Sequence, residues 1–412
     1  MKILHLNSSS INGGAAKAAI GLHKSLLNQK IQSYFLSQEN NLNIEGSITQ
    51  GSSLNNVIDI LKNGIARKIC RTYKSNKKET LSISFFKSKI IKQINNFDCD
   101  LVNLHWICNE FISIAQLKRI NKPIVWSLYD MWPFSGAEHY TNCERFKDGY
   151  KKHNRNKDES GFDINRWTWN RKLNNFNFPI QLVAPSDWLQ KCSQNSVIFK
   201  KQKTFKIGHP IDTNFWTPND KFLSKKFFNL DPEKKILLFF SAGSTQNYRK
   251  GYDFLPKIID KLNLIKDKYN LIIVGQKEDE SLFNNNSNIK YINFLNDDES
   301  RKILYSAADL IIAPSRSEAF GLVVAEAGSC QVPSIGFENT GVAETILHKQ
   351  SGYLSKKNDL DDFVQGINWF FENEEKFSEL GKNSRNHIIK NFSSNTIAKE
   401  YIKIYQNIID KK

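Results

Sequence analysis

Short apolar runs alternate with longer stretches of helical periodicity toward both ends of the chain. Residues 3–7, 33–36, 101–105, 124–128 and 181–184 in the first half, and 236–240, 271–274, 291–294, 310–313 and 334–337 in the second, are of strand length and rich in Ile, Leu, Val and Phe. A helical or capped segment follows each. Strands and helices in this rhythm form βαβ units, so the pattern predicts an α/β fold built on parallel sheets. Turn formers gather at Gly208-His209-Pro210 and again at Pro218-Asn219-Asp220, after a strand ending at Ile207. The expected organisation is one parallel-sheet domain over 1–205 and a second over 206–393, with a last helix at about 394–412 packing back on the first. Between Tyr140 and Phe176 aliphatic residues are scarce among Lys, Arg, Asn and Asp, and the stretch reads as an excursion over the surface, kept from full disorder by Trp167 and Trp169. Asn284-Asn285-Asn286 marks a loop.

The length of 412 residues exceeds what a single core organises, which agrees with two domains. Residues 1–6 are too short for a signal-peptide core and read as a first strand, and no stretch approaches the roughly 18 uninterrupted apolar residues of a membrane span. A soluble, cytoplasmic protein is expected. The six cysteines are scattered without a C-x-x-C pair, so reduced thiols are expected and no zinc or disulfide framework.

A formal charge of +16 admits nucleic acid, an anionic lipid surface or an anionic small substrate as partner. No nucleic-acid-binding module is recognisable, so no nucleic-acid partner is expected. Much of the excess is local: Lys62, Arg67, Lys68, Arg71, Lys74, Lys77, Lys78, Lys87, Lys89 and Lys92 are interrupted by one acid, Glu79. Upstream, Leu54, Val57, Ile58, Ile60, Leu61, Ile65 and Ile69 recur at roughly helical spacing. A basic helix with an apolar face suits peripheral contact with an anionic membrane. It equally suits a core-packed helix followed by a solvated loop.

The most informative stretch follows the strand at 310–313: Pro314-Ser315-Arg316-Ser317-Glu318-Ala319-Phe320-Gly321-Leu322-Val323-Val324-Ala325-Glu326. Pro314 ends the strand, Gly321 permits close approach of backbone to a ligand, and the apolar run starts a helix. The free amides of that first turn favour an anion such as a diphosphate. Glu318 lies in the loop and Glu326 about a turn into the helix, where each carboxylate can accept two hydroxyl donors. The plain alternative is two surface acids compensating the helix dipole.

In its context P-S-x-S-E-A-F-G-L-V-V-A-E-A, this segment resembles the signature of family 4 of the retaining glycosyltransferases. The resemblance continues in Pro333-Ser334-Ile335-Gly336, in Gly341-Val342-Ala343-Glu344-Thr345-Ile346, in Ser351-Gly352-Tyr353-Leu354 and, upstream, in Ala307-Ala308-Asp309 and the turn from Lys206 to Asp212. It implies the GT-B fold, two Rossmann-like parallel-sheet domains facing a central cleft, and a nucleoside-diphosphate sugar donor. By the same resemblance Glu326 binds the nucleotide ribose, Glu318 the donor sugar hydroxyls, and the amides near Phe320, Gly321 and Leu322 the diphosphate. The family's leaving-group cations correspond to Arg249 and Lys250 in Tyr248-Arg249-Lys250-Gly251, with Ser244 standing where an Arg is usual. Fixed cations stabilise the charge that grows on a departing diphosphate, so neither a metal nor a cofactor is expected. The two D-x-D matches, Asp98-Cys99-Asp100 and Asp359-Leu360-Asp361, read as structural: one precedes a buried strand and the other caps a helix.

In the first half, Asn7 to Lys17 is a small-residue loop that includes Gly13-Gly14 and opens a helix. The paired glycines lack the three-glycine spacing of a dinucleotide site but permit tight approach to a donor phosphate or acceptor, or simply form a turn. The stretch Trp126-Ser127-Leu128-Tyr129-Asp130-Met131-Trp132-Pro133-Phe134-Ser135-Gly136 resembles the colanic-acid-type branch of the family, with Tyr129 in place of a histidine and Glu138 in place of a cysteine. Asp130 is a candidate to orient an attacking hydroxyl; His139 and Tyr129 are acceptor-side candidates, and His105 a weaker one. No protein nucleophile is assigned.

These features suggest retaining, metal-independent transfer of a hexose-type sugar to a hydroxyl of a glycan or lipid-linked glycan in surface polysaccharide synthesis. Tyr129 and Ser244 keep open a catalytically impaired binding subunit of an assembly complex. An epimerase on the same fold is a third reading.

Overall fold

The computed structural model describes residues 1–9, 13–38, 44–49, 53–75, 80–244, 248–276 and 288–411. Ser10-Ile11-Asn12 of the first loop, Lys77, Lys78 and Glu79, Thr245-Gln246-Asn247 and Asn284-Asn285-Asn286 lie outside the described residues. The strands, in chain order, are β1 (Lys2–Asn7), β2 (Gln32–Ser37), β3 (Ser47–Ile48), β4 (Tyr73–Lys74), β5 (Leu101–Leu104), β6 (Ile124–Ser127), β7 (Ser160–Gly161), β8 (Gln181–Ala184), β9 (Thr204–Lys206), β10 (Lys235–Ser244), β11 (Tyr269–Gln276), β12 (Ile289–Ile292), β13 (Leu310–Ala313), β14 (Ser334–Phe337) and β15 (Gly352–Ser355). The helices are α1 (Gly14–Asn28), α2 (Ser53–Cys70), α3 (Ile90–Asn96), α4 (Arg145–Asp148), α5 (Ile164–Asn175), α6 (Asp187–Asn195), α7 (Lys221–Phe227), α8 (Leu255–Lys261), α9 (Asp298–Ala307), α10 (Leu322–Ser329), α11 (Leu360–Glu372), α12 (Phe377–Phe392) and α13 (Ser394–Ile409). Two compact units result: Met1–Pro210 with Ile397–Lys412, and Ile211–Thr396.

The first unit carries a parallel sheet in the order β3-β2-β1-β5-β6-β8-β9. Ile3, Leu4 and Leu6, Leu101 and Leu104, Val125 and Trp126, and Leu182 and Val183 are buried on both faces of the sheet, as expected where helices cover it on both sides. Strand order reverses between β1 and β5, so the loops that leave their C-terminal ends part there. On α13, Tyr405 donates its hydroxyl to Asn103 Oδ1 at 2.7 Å, and the Tyr401 hydroxyl lies 2.9 Å from Ser127 Oγ. The last helix is thereby fastened to the ends of β5 and β6.

The stretch from Tyr140 to Phe176 departs in part from the expected surface excursion: residues 151–162 are exposed or half-buried, but the segments on either side enter the core. It supplies α4, β7 and α5, and Tyr150, Ile164, Thr168 and Lys172 are fully buried. Composition misleads here because two of its charged side chains, those of Arg145 and Lys172, are buried with partners. The Lys172 amine, whose pKa burial lowers, donates to the carbonyls of Trp132, Ser135 and Gly136 and lies 3.9 Å from the centre of the Trp132 ring. Arg145 pairs with Asp163 at 3.0 Å and Glu159 at 3.4 Å and covers the Tyr150 ring.

The second unit carries a parallel sheet in the order β12-β11-β10-β13-β14-β15, reversing between β10 and β13. Leu237, Phe239, Leu271, Ile273, Leu310, Ile312, Ile335 and Phe337 from the strands pack with Leu255 and Ile258 of α8 and Phe363, Ile367 and Phe370 of α11. β12 lies two residues earlier than the apolar pattern suggests. The Leu271 amide donates to the Asn288 carbonyl, and Phe294 is left exposed beyond the strand. Asp359 caps α11 by accepting from the amides of Asp361 and Asp362, which explains that D-x-D as local structure.

Lys172 holds three carbonyls of the loop between Asp130 and His139. The substitution Lys172→Met removes the donor and leaves those carbonyls buried without it, at a cost of about 3 kcal/mol or more. A urea-unfolding midpoint equal to that of the natural protein would refute this account of the loop.

Candidate functional site

In the second unit the switch point between β10 and β13 collects most of the residues expected to handle a donor. β13 runs into a loop from Pro314 to Gly321, and α10 begins at Leu322. Gly321 caps α10 with φ +93°, a left-handed conformation that favours glycine, and an added Cβ would press on Val342 at 3.1 Å. The first intrahelical bond runs from the Ala325 amide to the Gly321 carbonyl, leaving the amides of Leu322 to Val324 as the helix's N-terminal donors. The Phe320 side chain is buried against Phe392, with ring centres 5.1 Å apart, so any contact it makes with a ligand falls to its backbone.

Glu318 projects from this loop toward the single turn Tyr248–Lys250 that follows β10. Its Oε2 accepts from Arg249 Nη1 at 3.0 Å and Lys250 Nζ at 2.5 Å. Burial alone would raise its pKa, but the two cations outweigh burial and hold the carboxyl at about 2. Burial lowers the Lys250 pKa; Glu318 opposes that shift and the neighbouring Arg249 adds to it. Two cations crowded on one oxygen repel each other, and an incoming anion relieves that repulsion.

Glu326 is 5% exposed, and its Oε2 accepts from Arg301 Nη1 at 3.1 Å and the Tyr305 hydroxyl at 2.9 Å, both on α9. Arg301 also pairs with Asp298 and lies over Trp216. Glu318 and Glu326 therefore flank the start of α10 with separate sets of partners. Sequence reading missed Arg301, Tyr305 and Arg316, because nothing in their local pattern signals which carboxylates they meet across the fold.

The first unit assembles a polar cluster at the ends of β5 and β6. Asp130 Oδ2 lies 2.6 Å from His139 Nδ1 and accepts from Trp106 Nε1 at 3.0 Å, while Oδ1 accepts from the Trp132 amide. The other His139 nitrogen, Nε2, lies 2.8 Å from Ser82 Oγ. Tyr129 belongs to a neighbouring chain of rings. Its hydroxyl is 2.9 Å from His105 Nδ1, and its ring stacks on His209 at 4.8 Å. His105 Nε2 lies 2.8 Å from His5 Nδ1, and burial pulls the His105 imidazole down to about 3, so both rings are neutral at physiological pH. Gly13 has φ +94° at the start of α1, and an added Cβ would meet nothing within 4 Å, so its surroundings are open. Gly14 is the first residue of α1.

Residues 220–387 match the family described as Glycosyl transferases group 1. The N,N'-diacetylbacillosaminyl-diphospho-undecaprenol alpha-1,3-N-acetylgalactosaminyltransferase of Campylobacter jejuni is 26% identical over 186 residues, 44% of this chain and 47% of that protein. The chain spans about half the length of the curated relatives it matches. Among solved structures, sucrose-phosphate synthase from Thermosynechococcus elongatus superposes with a TM-score of 0.72 at 15% identity over 100% of both chains. Anabaena Alr3699/HepE in complex with UDP and glucose gives 0.66 at 16% identity over 99% of this chain and 100% of that one. These neighbours establish the fold as GT-B.

The Glu318 carboxyl has a folded pKa of about 2 against an ordinary 4.5, so its pairing is complete above 4.5 and fades as pH falls through about 2. Carboxyl-carbon NMR is expected to show a titration midpoint near 2. With Arg249→Met and Lys250→Met combined, burial is left in control and the midpoint moves above 4.5. An unmoved midpoint would contradict the assignment of its cause.

Proposed function

We propose that this chain is a retaining glycosyltransferase that moves a hexose-type sugar from a nucleoside diphosphate to a hydroxyl of a glycan or lipid-linked glycan in surface polysaccharide synthesis. The observation that carries the reading is the convergence of Arg249, Lys250 and Glu318 beside the start of α10, at the switch point of a parallel sheet. Such a place suits a diphosphate: backbone donors at a helix start, two cations, and a carboxylate next to them for sugar hydroxyls. The UDP and glucose bound to the Anabaena neighbour and the diphospho-undecaprenol in the name of the Campylobacter relative support the same classes of donor and acceptor.

In this reading the diphosphate takes Arg249 and Lys250 from Glu318 as it binds, and the released carboxylate accepts hydroxyls of the transferred sugar. Glu326, oriented by Arg301 and Tyr305, holds the ribose. As the glycosidic bond breaks, charge accumulates on the diphosphate, and Arg249 and Lys250 stabilise it without the reorganisation that water would need. These cations supply the role that a metal plays elsewhere. The amides of Phe320, Gly321 and Leu322 contribute further donors, and Gly13 and Gly14 keep the N-terminus of α1 accessible. On the acceptor side, Asp130, with both oxygens engaged by protein donors, acts by fixing Trp106 and His139, while Tyr129 shapes the adjoining wall.

Peripheral contact with an anionic membrane belongs to the same proposal. The C-terminal part of α2 packs Ala66, Ile69 and Cys70 against Ile83, Ala137 and Ile164. Ile58, Ile60, Leu61 and Ile65, in the part of α2 before that contact, are exposed, Ile60 by 69% and Leu61 by 61%, and Arg67, Lys68 and Arg71 are exposed as well. Apolar side chains interleaved with cations suit the interface of an anionic bilayer. Among the described residues no helix is long and apolar enough to cross a membrane.

A thermal-shift panel of nucleoside diphosphate sugars should identify a stabilising donor. With that donor, Glu318→Gln and Glu326→Gln should each lower turnover by at least about 10²-fold. Unchanged turnover in both variants would sink the assignment. For the membrane contact, Ile60→Ser, Leu61→Ser and Ile65→Ser combined should weaken co-sedimentation with phosphatidylglycerol vesicles by about tenfold or more. Undiminished binding would remove α2 from the interface.

A further inference from the structure

Arg316 joins the two loops of the donor site. Its guanidinium lies between two rings, 3.7 Å from the centre of Tyr248 and 3.7 Å from that of Phe254. Nη1 donates to Asp253 Oδ1 and to the Tyr248 carbonyl, each at 2.6 Å, and Nη2 donates to Asp253 Oδ2 at 2.6 Å. Its own amide donates to the Arg249 carbonyl at 2.8 Å. Arg316 is 7% exposed. A planar guanidinium is therefore gripped on both faces and along its edge, a geometry that an ammonium cannot reproduce.

The same two loops touch at two further points. Gly251 has φ +74°, and a Cβ there would come within 2.1 Å of the Pro314 carbonyl, so the backbones are in close contact. Arg249 Nη1 donates to the Ser317 carbonyl at 2.9 Å in addition to Glu318. Tyr248–Lys250 is only one turn of 3₁₀ helix, and so short a turn has little internal hydrogen bonding to fix it. What holds it against the loop from Pro314 to Ser317 is the stack, the fork with Asp253 and the bonds to the Tyr248 and Arg249 carbonyls.

We infer that Arg316 is a positioning residue: braced by Asp253, Tyr248 and Phe254, it sets where Arg249 and Lys250 stand relative to Glu318 without itself touching the diphosphate. The inference rests on the proposed reading of this site as a diphosphate site. Its consequence is selective. Loss of the brace lets the cations drift from the two-phosphate geometry, and a displacement of about 1 Å in such a site is enough to cost up to about 10²-fold. Contacts to the nucleoside and to a single phosphate depend less on that turn.

The test is calorimetric titration of the full chain with UDP, GDP and ADP and with the matching monophosphates, for the natural protein, Arg316→Lys and Asp253→Asn. The natural protein is expected to bind at least one diphosphate more tightly than its monophosphate. Both variants should lower that preference by about tenfold, with monophosphate affinity kept within about twofold, and the double variant should lose little more than Arg316→Lys alone because the two residues act as one unit. The Asp253 side chain is 51% exposed, so Asp253→Asn leaves the packing in place and decides the matter even where Arg316→Lys melts early. Preserved preference in a folded variant overturns the positioning role while leaving the diphosphate site standing. An equal loss for monophosphate and diphosphate also overturns it, since that is the mark of general structural damage. Failure of the natural protein to bind any of the three diphosphates overturns the site reading itself and this inference with it.

Discussion

A parallel sheet delivers every strand's C-terminal end to the same edge, and where the strand order reverses, the two adjacent loops must part. Each unit of this chain has one such reversal, between β1 and β5 and between β10 and β13. The chemistry-bearing side chains gather at those two places. Glu318, Arg249 and Lys250 meet because their loops leave β13 and β10, which are neighbours in space although about 70 residues separate them in the chain. Trp106, just beyond β5, meets the β1 end for the corresponding reason, its amide donating to Asn7 Oδ1 at 2.9 Å, and its indole donates to Asp130, which lies beyond β6.

Within that frame, buried charge is admitted only where geometry satisfies it. Lys172 caps three carbonyls, Arg145 lies between two carboxylates and a tyrosine ring, Arg301 orients Glu326, and Arg316 forks onto Asp253 between two aromatic rings. Lys172, Arg301 and Arg316 each join segments distant in sequence. The penalty for leaving such a group unpartnered is several kcal/mol, which makes these residues strong constraints on local shape. The pair made by Arg249 and Lys250 with Glu318 is different in kind. Two like charges share a single carboxylate oxygen, an arrangement that gains from the arrival of an anion.

How much of this was legible in the chain follows from how local each signal is. The strands at 181–184, 310–313 and 334–337 coincide with β8, β13 and β14, because an apolar run bounded by turn formers is a local property. Pro314, Gly321 and the apolar run after it announced the loop and helix start that now carry Glu318 and Glu326. The stretch from Tyr140 to Phe176 was misread because its polarity reports only the residues themselves. Lys172 is buried owing to carbonyls some forty residues upstream, and no periodicity encodes that meeting. β15 was visible as a motif around Gly352 but not as a strand, since its pairing with β14 supplies the order that so short a segment lacks.

The sequence by itself determined the parallel α/β class, the alternation of strands and helices, and Glu318 and Glu326 as candidates beside a helix start, since each of these depends on spacing and residue type within a short window; Arg249 and Lys250 were candidates through the resemblance of their stretch to a family motif. Only the tertiary structure decided that Arg249 and Lys250 share one oxygen of Glu318, that Arg301 and Tyr305 engage Glu326, that Asp130 and His139 are bound to each other, and that Arg316 ties the loop after β13 to the turn after β10. Those outcomes depend on which strand ends become neighbours and on which buried charges find partners. Contacts between segments far apart in the chain leave no local pattern from which they can be read.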